Sequence, residues 1–251
     1  MKPRFVVIAV ILACSASTGT AGWKDDVGYT SLQTRLGTSI PTGADIDVTQ
    51  VEGIQDGGYL PDFNDAQFAG KTITPMSGSS GVSNHATTVG RYYYGLTVSM
   101  ARDIDIIDLY EVGDWTGTGF LRKYSSSVPK FETRRIQNHC WVGTFSGDDV
   151  LDIDTLRRLD YVIVRDGVFV AVGVNNGSIN PMPKLLPNTS NAVAEGRSDA
   201  ISSRGPTTLD EPGRLKPDIV APFWAVSWAV PVVSSAGAVL LQSADADSNM
   251  D

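Results

Sequence analysis

Ser227 opens the stretch SWAVPVVSSAGAVLLQSA, a run of small and aliphatic residues that reads as a single helix buried on nearly every side. A hydroxyl at the mouth of such a helix meets backbone N–H groups that have no intrahelical acceptor, and a dipole that favours negative charge. Chemistry that builds negative charge on oxygen suits that place, provided a base stands nearby. The chain has 2 histidines. His85 lies in SNHATTVG, at a strand-to-helix junction, and His139 lies in RIQNHCWVG. Imidazole takes and returns a proton near neutrality. Asn175 and Asn176 follow the apolar run VFVAVGV, where a side chain overhangs a cleft at the C-terminal edge of a sheet.

The elements that must position these groups are short. IDVTQV (46–51), IDIIDLYEV (104–112) and YVIVRDGVFVAVGV (161–174) have β-type composition, and HATTVGRYYYGL (85–96) and DDVLDIDTLRRL (148–159) have helical spacing. Strands alternating with helices imply an α/β protein with a mainly parallel sheet covered on both faces. A chain of 251 residues suffices for one such domain with a sizeable core. Its last helix is expected over 227–243, with Pro231 in the first turn, where an N–H needs no acceptor.

The N-terminus carries Lys2 and Arg4, then FVVIAVILA, then small residues through Ala21, the pattern of a secretory signal peptide over 1–21. The competing reading is a lipoprotein anchored through Cys14. Residues 22–42 form a short leader with one amphipathic helix near 29–36. The main domain is expected over 43–243, and a polar tail over 244–251 ends abruptly enough to suggest a truncated reading frame. Loss of 1–21 moves the net charge from −8 to −10, which argues against nucleic acid or an anionic membrane as partner. The apolar run is too short for an integral membrane span, and secretion or a periplasmic location follows. Cys140 would be the one cysteine left, so the core and not a disulfide must hold the fold.

Four segments occur in an order that resembles the subtilisin-like serine proteases. His85-Ala-Thr-Thr-Val-Gly90 is similar to the family's H-G-T-x-V-A-G, and Val172-Gly-Val-Asn175-Asn-Gly177 to A-A-G-N-x-G. The stretch from Ser202 to Pro222 follows S-S-R-G-P…K-P-D-I-V-A-P, and Ala225-Val-Ser227-Trp-Ala-Val-Pro231 follows G-T-S-x-A-x-P. The resemblance covers about residues 43–243 and implies a three-layer subtilisin-like fold. It also implies a secreted endopeptidase with Ser227 as nucleophile, His85 as general base, Asn175 as oxyanion donor and Glu52 in the place of the orienting acid. For Glu52 the alternative is an exposed acid at a strand end, with Asp45 and Asp47 as lesser candidates. His139 reads as structural or cleft-lining. Trp141, Val142 and Gly143 correspond to the strand that pairs with an extended peptide.

The departures from the family pattern are specific. Ala225-Val226 replaces Gly-Thr, only four residues separate Pro222 from Ser227 where a hairpin usually intervenes, and no pro-domain precedes residue 43. They motivate a second reading, a module that grips extended peptides without cutting them. The partner in either case is a protein or peptide, and the expected state is a monomer. No cofactor and no metal site is expected. The acidic runs DIDIID (103–108) and DDVLDID (148–154) would suit calcium but lack the loop spacing of a dedicated site.

Overall fold

The strand VTQVE shows why the sheet forms where it does. All five residues of β1 (Val48–Glu52) are buried, polar ones included, as happens only to a strand with neighbours on both edges and layers on both faces. A computed structural model describes residues 22–145, 147–178 and 180–247. The expected signal peptide, with Cys14, and the end of the polar tail lie outside the described residues. After β1 come β2 (Thr72–Pro75), β3 (Ile106–Glu111), β4 (Ile136–His139), β5 (Phe169–Gly173), β6 (Val193–Arg197) and β7 (Ile219–Ala221). They make one seven-stranded sheet in the order β7-β6-β5-β4-β1-β3-β2, parallel at every pairing. The four long helices are α1 (Tyr29–Leu36), α2 (Asn84–Tyr94), α3 (Asp149–Asp166) and α4 (Val226–Asp245).

Side-chain alternation sorts the layers. Gly173 faces α4, and a Cβ there would lie 3.0 Å from Val226 Cγ1 and 3.3 Å from Val230 Cγ2. Val170 and Val172, one step out of phase, turn to the opposite face and share an apolar cluster with Leu156, Leu159 and Val162 of α3. A second cluster joins Val48, Ile107 and Leu109 to Tyr93 and Tyr94 of α2 and to Val232 and Val239 of α4. Small residues let α4 approach closely: a Cβ on Gly237 would sit 3.1 Å from the Phe169 ring. By length and composition α4 would also suit a membrane span, yet it packs on α2 and on β4, β5 and β6.

Two local expectations are corrected. The run 161–174 is not all strand: α3 continues to Asp166 and stops at Gly167, whose φ of 67° is the left-handed conformation that ends helices. Leu156, Leu159 and Val162 supply the helical spacing that carries α3 through its β-branched residues. Secondly, α4 starts at Val226 with Ala225 as N-cap, so Pro231 stands in the second turn and not the first. The leader packs on the body through Trp23, which touches Tyr92 and Phe223, and through Tyr29, whose hydroxyl donates to Met100 O at 3.1 Å.

The acidic runs are engaged in the fold. Arg134 binds Asp108 through two nitrogens (2.8 and 3.1 Å) and Asp47 through a third (2.8 Å). Asp148 caps α3, and buried Asp152 accepts from Thr144 Oγ1 (2.6 Å) and Phe145 N (2.7 Å).

Candidate active site

Because every strand of the sheet points the same way, the ends of β1, β4 and β5 open on one edge. Glu52 is the last residue of β1 and His85 the second residue of α2, which Ser83 caps by accepting from Ala86 N at 3.2 Å. His85 Nδ1 and Glu52 Oε2 are 2.8 Å apart. Glu52 is only 1 % exposed, so it is a buried partner of the imidazole and not a free strand-end acid. Asp47 is taken by Arg134. Burial pushes the His85 imidazole down, but the hydrogen bond and charge of Glu52, with Asp56 adding, outweigh it and hold its pKa above the ordinary histidine value. With the proton on Nδ1, Nε2 presents a lone pair, and that atom is buried without a hydrogen-bond partner among the described residues.

Ser227 is the second residue of α4 and half-buried. Among the described residues no hydrogen bond joins its Oγ to His85. The indole of the next residue, Trp228, lies against the imidazole with ring centroids 5.4 Å apart, and Trp224 and Tyr92 flank that indole at 5.6 and 6.3 Å. Ser227, Cys140, Trp141, Val142, Asn175 and Asn176 line a common cleft of about 70 Å³.

The asparagine pair divides its work unexpectedly. Asn175 Nδ2 donates to Pro181 O at 3.0 Å, while Asn176 Oδ1 accepts from Val226 N at 2.8 Å and so caps α4 in the absence of a capping side chain on Ala225. Asn176 and Ser227 line the same cleft. Sequence reading favoured Asn175. The adjacent Asn-Asn was the available signal, but spacing alone does not choose between neighbours.

On the other wall, Gly143 is already paired: its N–H donates to Leu185 O (3.3 Å) and its carbonyl accepts from Leu185 N (3.0 Å). Trp141 and Val142 are therefore the part of the expected peptide-binding strand left for a ligand. Cys140 fills a need created by Pro231. A proline at that position cannot donate to the Ser227 carbonyl one turn back, and the Cys140 thiol donates to that carbonyl instead at 3.5 Å. Asn138 Nδ2 in turn donates to Cys140 Sγ (3.3 Å), and Ser234 Oγ donates to Asn138 Oδ1 (2.9 Å). Burial pushes the thiol well above its ordinary pKa, with the charge of Glu52 adding.

His139 is enclosed. It is 0 % exposed, its Nε2 donates to Gln137 Oε1 (3.1 Å), its Nδ1 accepts from Trp141 Nε1 (3.2 Å), and burial pushes its pKa down to about 3. It is a neutral structural histidine behind the cleft wall.

Solved structures share this architecture. A lanthipeptide protease superposes with a TM-score of 0.58 at 14% identity, over 91% of this chain and 81% of that one. A cold-adapted subtilisin-like serine proteinase gives 0.55 at 14% identity, over 80% and 77%. The PatG macrocyclase in complex with peptide gives 0.55 at 14% identity, over 89% and 84%. The chain has a subtilisin-like fold. No family model and no curated protein matches its sequence. At such identities the likeness is one of fold, and the subtilisin-like core here is a divergent one: a glutamate on the first central strand, a cysteine beneath the serine carbonyl, and a wall of aromatics before the serine helix.

Proposed function

We propose that this protein is a secreted serine endopeptidase acting on extended polypeptide. The observation that carries the reading is the buried Glu52–His85 pair, 2.8 Å apart, at the sheet edge where the Ser227 helix begins. Ser227 Oγ attacks the substrate carbonyl carbon and its proton passes to His85 Nε2, while Glu52 holds the imidazole tautomer and stabilises the imidazolium. The Asn176 amide and the backbone N–H of Ser227, which has no intrahelical acceptor, serve the developing oxyanion. Asn175 lines the cleft and braces the loop through Pro181. Trp141 and Val142 hold the peptide as an added strand. The charged and then apolar N-terminus supports export with removal of residues 1–21.

The test is covalent labelling by a fluorophosphonate probe. The wild type labels and Ser227→Ala does not. Asn176→Ala slows labelling by about 10²–10³-fold, the cost of one oxyanion donor, and Asn175→Ala has a much smaller effect. Folded wild-type protein that stays unlabelled beside a reactive control subtilisin refutes the enzymatic reading.

One observation favours a second reading. Trp228 lies on the His85 ring, and Nε2 has no hydrogen bond to Ser227. A site kept in that state would bind peptide along Trp141 and Val142 without turnover. Peptide affinity unchanged by Ser227→Ala, with no hydrolysis of casein, identifies that case.

A further inference from the structure

Glutamate reaches the imidazole through three side-chain torsions, and each must be held if the carboxylate is to stay on Nδ1. The means of holding it lie outside the roles assigned so far. Gln50 and Glu52 are two residues apart on β1 and so point to the same face. Gln50 Nε2 donates to Glu52 Oε1 (2.8 Å) and to Ala86 O (3.1 Å), and Gln50 Oε1 accepts from the Tyr94 hydroxyl (2.8 Å). Gln50 and Tyr94 are both 0 % exposed, so no water substitutes for any of these bonds. The amide has one workable orientation. Turned over, its oxygen would face the carboxylate and the Ala86 carbonyl, two acceptors, and its donors would be left with the Tyr94 hydroxyl alone.

The same helix closes the circuit. α2 carries His85 and Ala86 in its first turn and Tyr94 as its last residue, so one rigid body presents both the imidazole and the hydroxyl to β1. Gly90 lies between them. A Cβ at that position would stand 2.6 Å from the Tyr94 oxygen and 2.9 Å from the Phe68 ring. Its φ is not left-handed, so the glycine is there for space and not for backbone freedom.

We propose that Tyr94 and Gln50 are positioning residues that lock the Glu52 carboxylate onto His85, and that Gly90 provides the seat for the Tyr94 hydroxyl. The proposal rests on reading His85 as the base of the site, and its test is chosen to be independent of catalysis. The imidazole Cε1–H resonance is followed by NMR between pH 5 and 9 in wild type, Tyr94→Phe, Gln50→Met and Gly90→Ala. His139, pushed down to about 3, does not titrate there, so the moving signal belongs to His85. The charged groups facing His85 are Glu52 and, from the following loop, Asp56; α4 contributes only the neutral Trp228.

Loosening the carboxylate weakens the interaction that raises the His85 midpoint, so the midpoint moves to lower pH in all three variants. Tyr94→Phe, which removes one oxygen and no volume, lowers the labelling rate near neutrality roughly two- to tenfold. A merely structural role would lower the melting temperature and leave the midpoint in place. An unchanged His85 midpoint in folded Tyr94→Phe overturns the proposal, whether or not Gln50→Met folds. If the wild type does not label but the midpoints move as described, the clamp stands and the peptidase reading fails. Unmoved midpoints in a wild type that labels have the opposite meaning.

Discussion

Glu195 offers the sharpest test of how this core is balanced. It sits in the middle of β6, in register with Gly173 on one side and Ile219 on the other, at 0 % exposure, and neither carboxyl oxygen has a hydrogen-bond partner among the described residues. Burial pushes its carboxyl well above the ordinary range and the Asp218 charge adds to this, while the backbone amide of Val172 and the Lys216 charge oppose. The group is thus carried as a neutral acid in a place that gives it no well-formed hydrogen bond. An unsatisfied buried polar group costs about 1–3 kcal/mol, and Glu195→Met removes it at similar volume. Stabilisation of that size raises the melting temperature by about 2–12 °C in a chain of this length. The pH dependence has a definite sign. A carboxyl whose folded pKa lies above its unfolded value of about 4.3 contributes its full stability below that value and loses it as pH rises. Wild type therefore falls behind Glu195→Met by up to about 1.4 kcal/mol per pH unit above about 4.5, until the folded pKa is passed. Glu195→Gln cancels this slope but keeps an unsatisfied amide, so it gains little at pH 4.5. Urea denaturation of the three proteins at pH 4.5, 5.5, 6.5 and 7.5 measures both effects. A wild-type-to-Met gap that is constant across the series, or a Met variant less stable than wild type, refutes the reasoning.

Other consequences are simpler to check. Cys140, buried and with its thiol pKa raised, should react with a disulfide reagent at pH 8 at least about 100-fold more slowly in the native protein than in urea. Arg134→Met leaves Asp108 and Asp47 without their shared partner and should cost about 2 kcal/mol by urea denaturation, with little relief from added salt because Asp108 is only 8 % exposed. Trp228→Ala uncovers His85 Nε2, and the fluorophosphonate labelling rate should rise; a fall would assign the indole to substrate binding. N-terminal sequencing of the exported protein should begin at Gly22, and an acylated Cys14 would establish the lipoprotein alternative.

Much of the candidate site was legible because the proposed chemistry is carried by residue types in a fixed chain order: carboxylate, imidazole, amide, hydroxyl. Glu52, His85 and Ser227 fall at element ends that hydrophobic patterning locates to within a residue or two. What stayed hidden depends on partners far away in sequence. Asn176 rather than Asn175 caps α4 because of the direction the chain takes after Val174. The backbone N–H and carbonyl of Gly143 are engaged because Leu185, more than forty residues on, pairs with them. The role of Cys140 follows from a carbonyl that Pro231 frees, and is invisible until the helix start is known.

The clearest signal that could have been read further is β1 itself. A central strand of a parallel sheet is covered on both faces, so its sequence should be continuously apolar; Val48-Thr-Gln-Val-Glu52 is not. Each of its three polar residues is matched from outside the strand: Thr49 by Glu132 at 3.2 Å, Gln50 by Tyr94 and Ala86, Glu52 by His85. A fold accepts the cost of enclosing such groups where their partners can be supplied in full, and for Gln50 and Glu52 that supply is what α2 provides. The helix that brings the histidine also brings the tyrosine. The departures at Gln50 and Glu52 and the constellation at the end of the strand therefore have a single cause, the docking of α2 against β1.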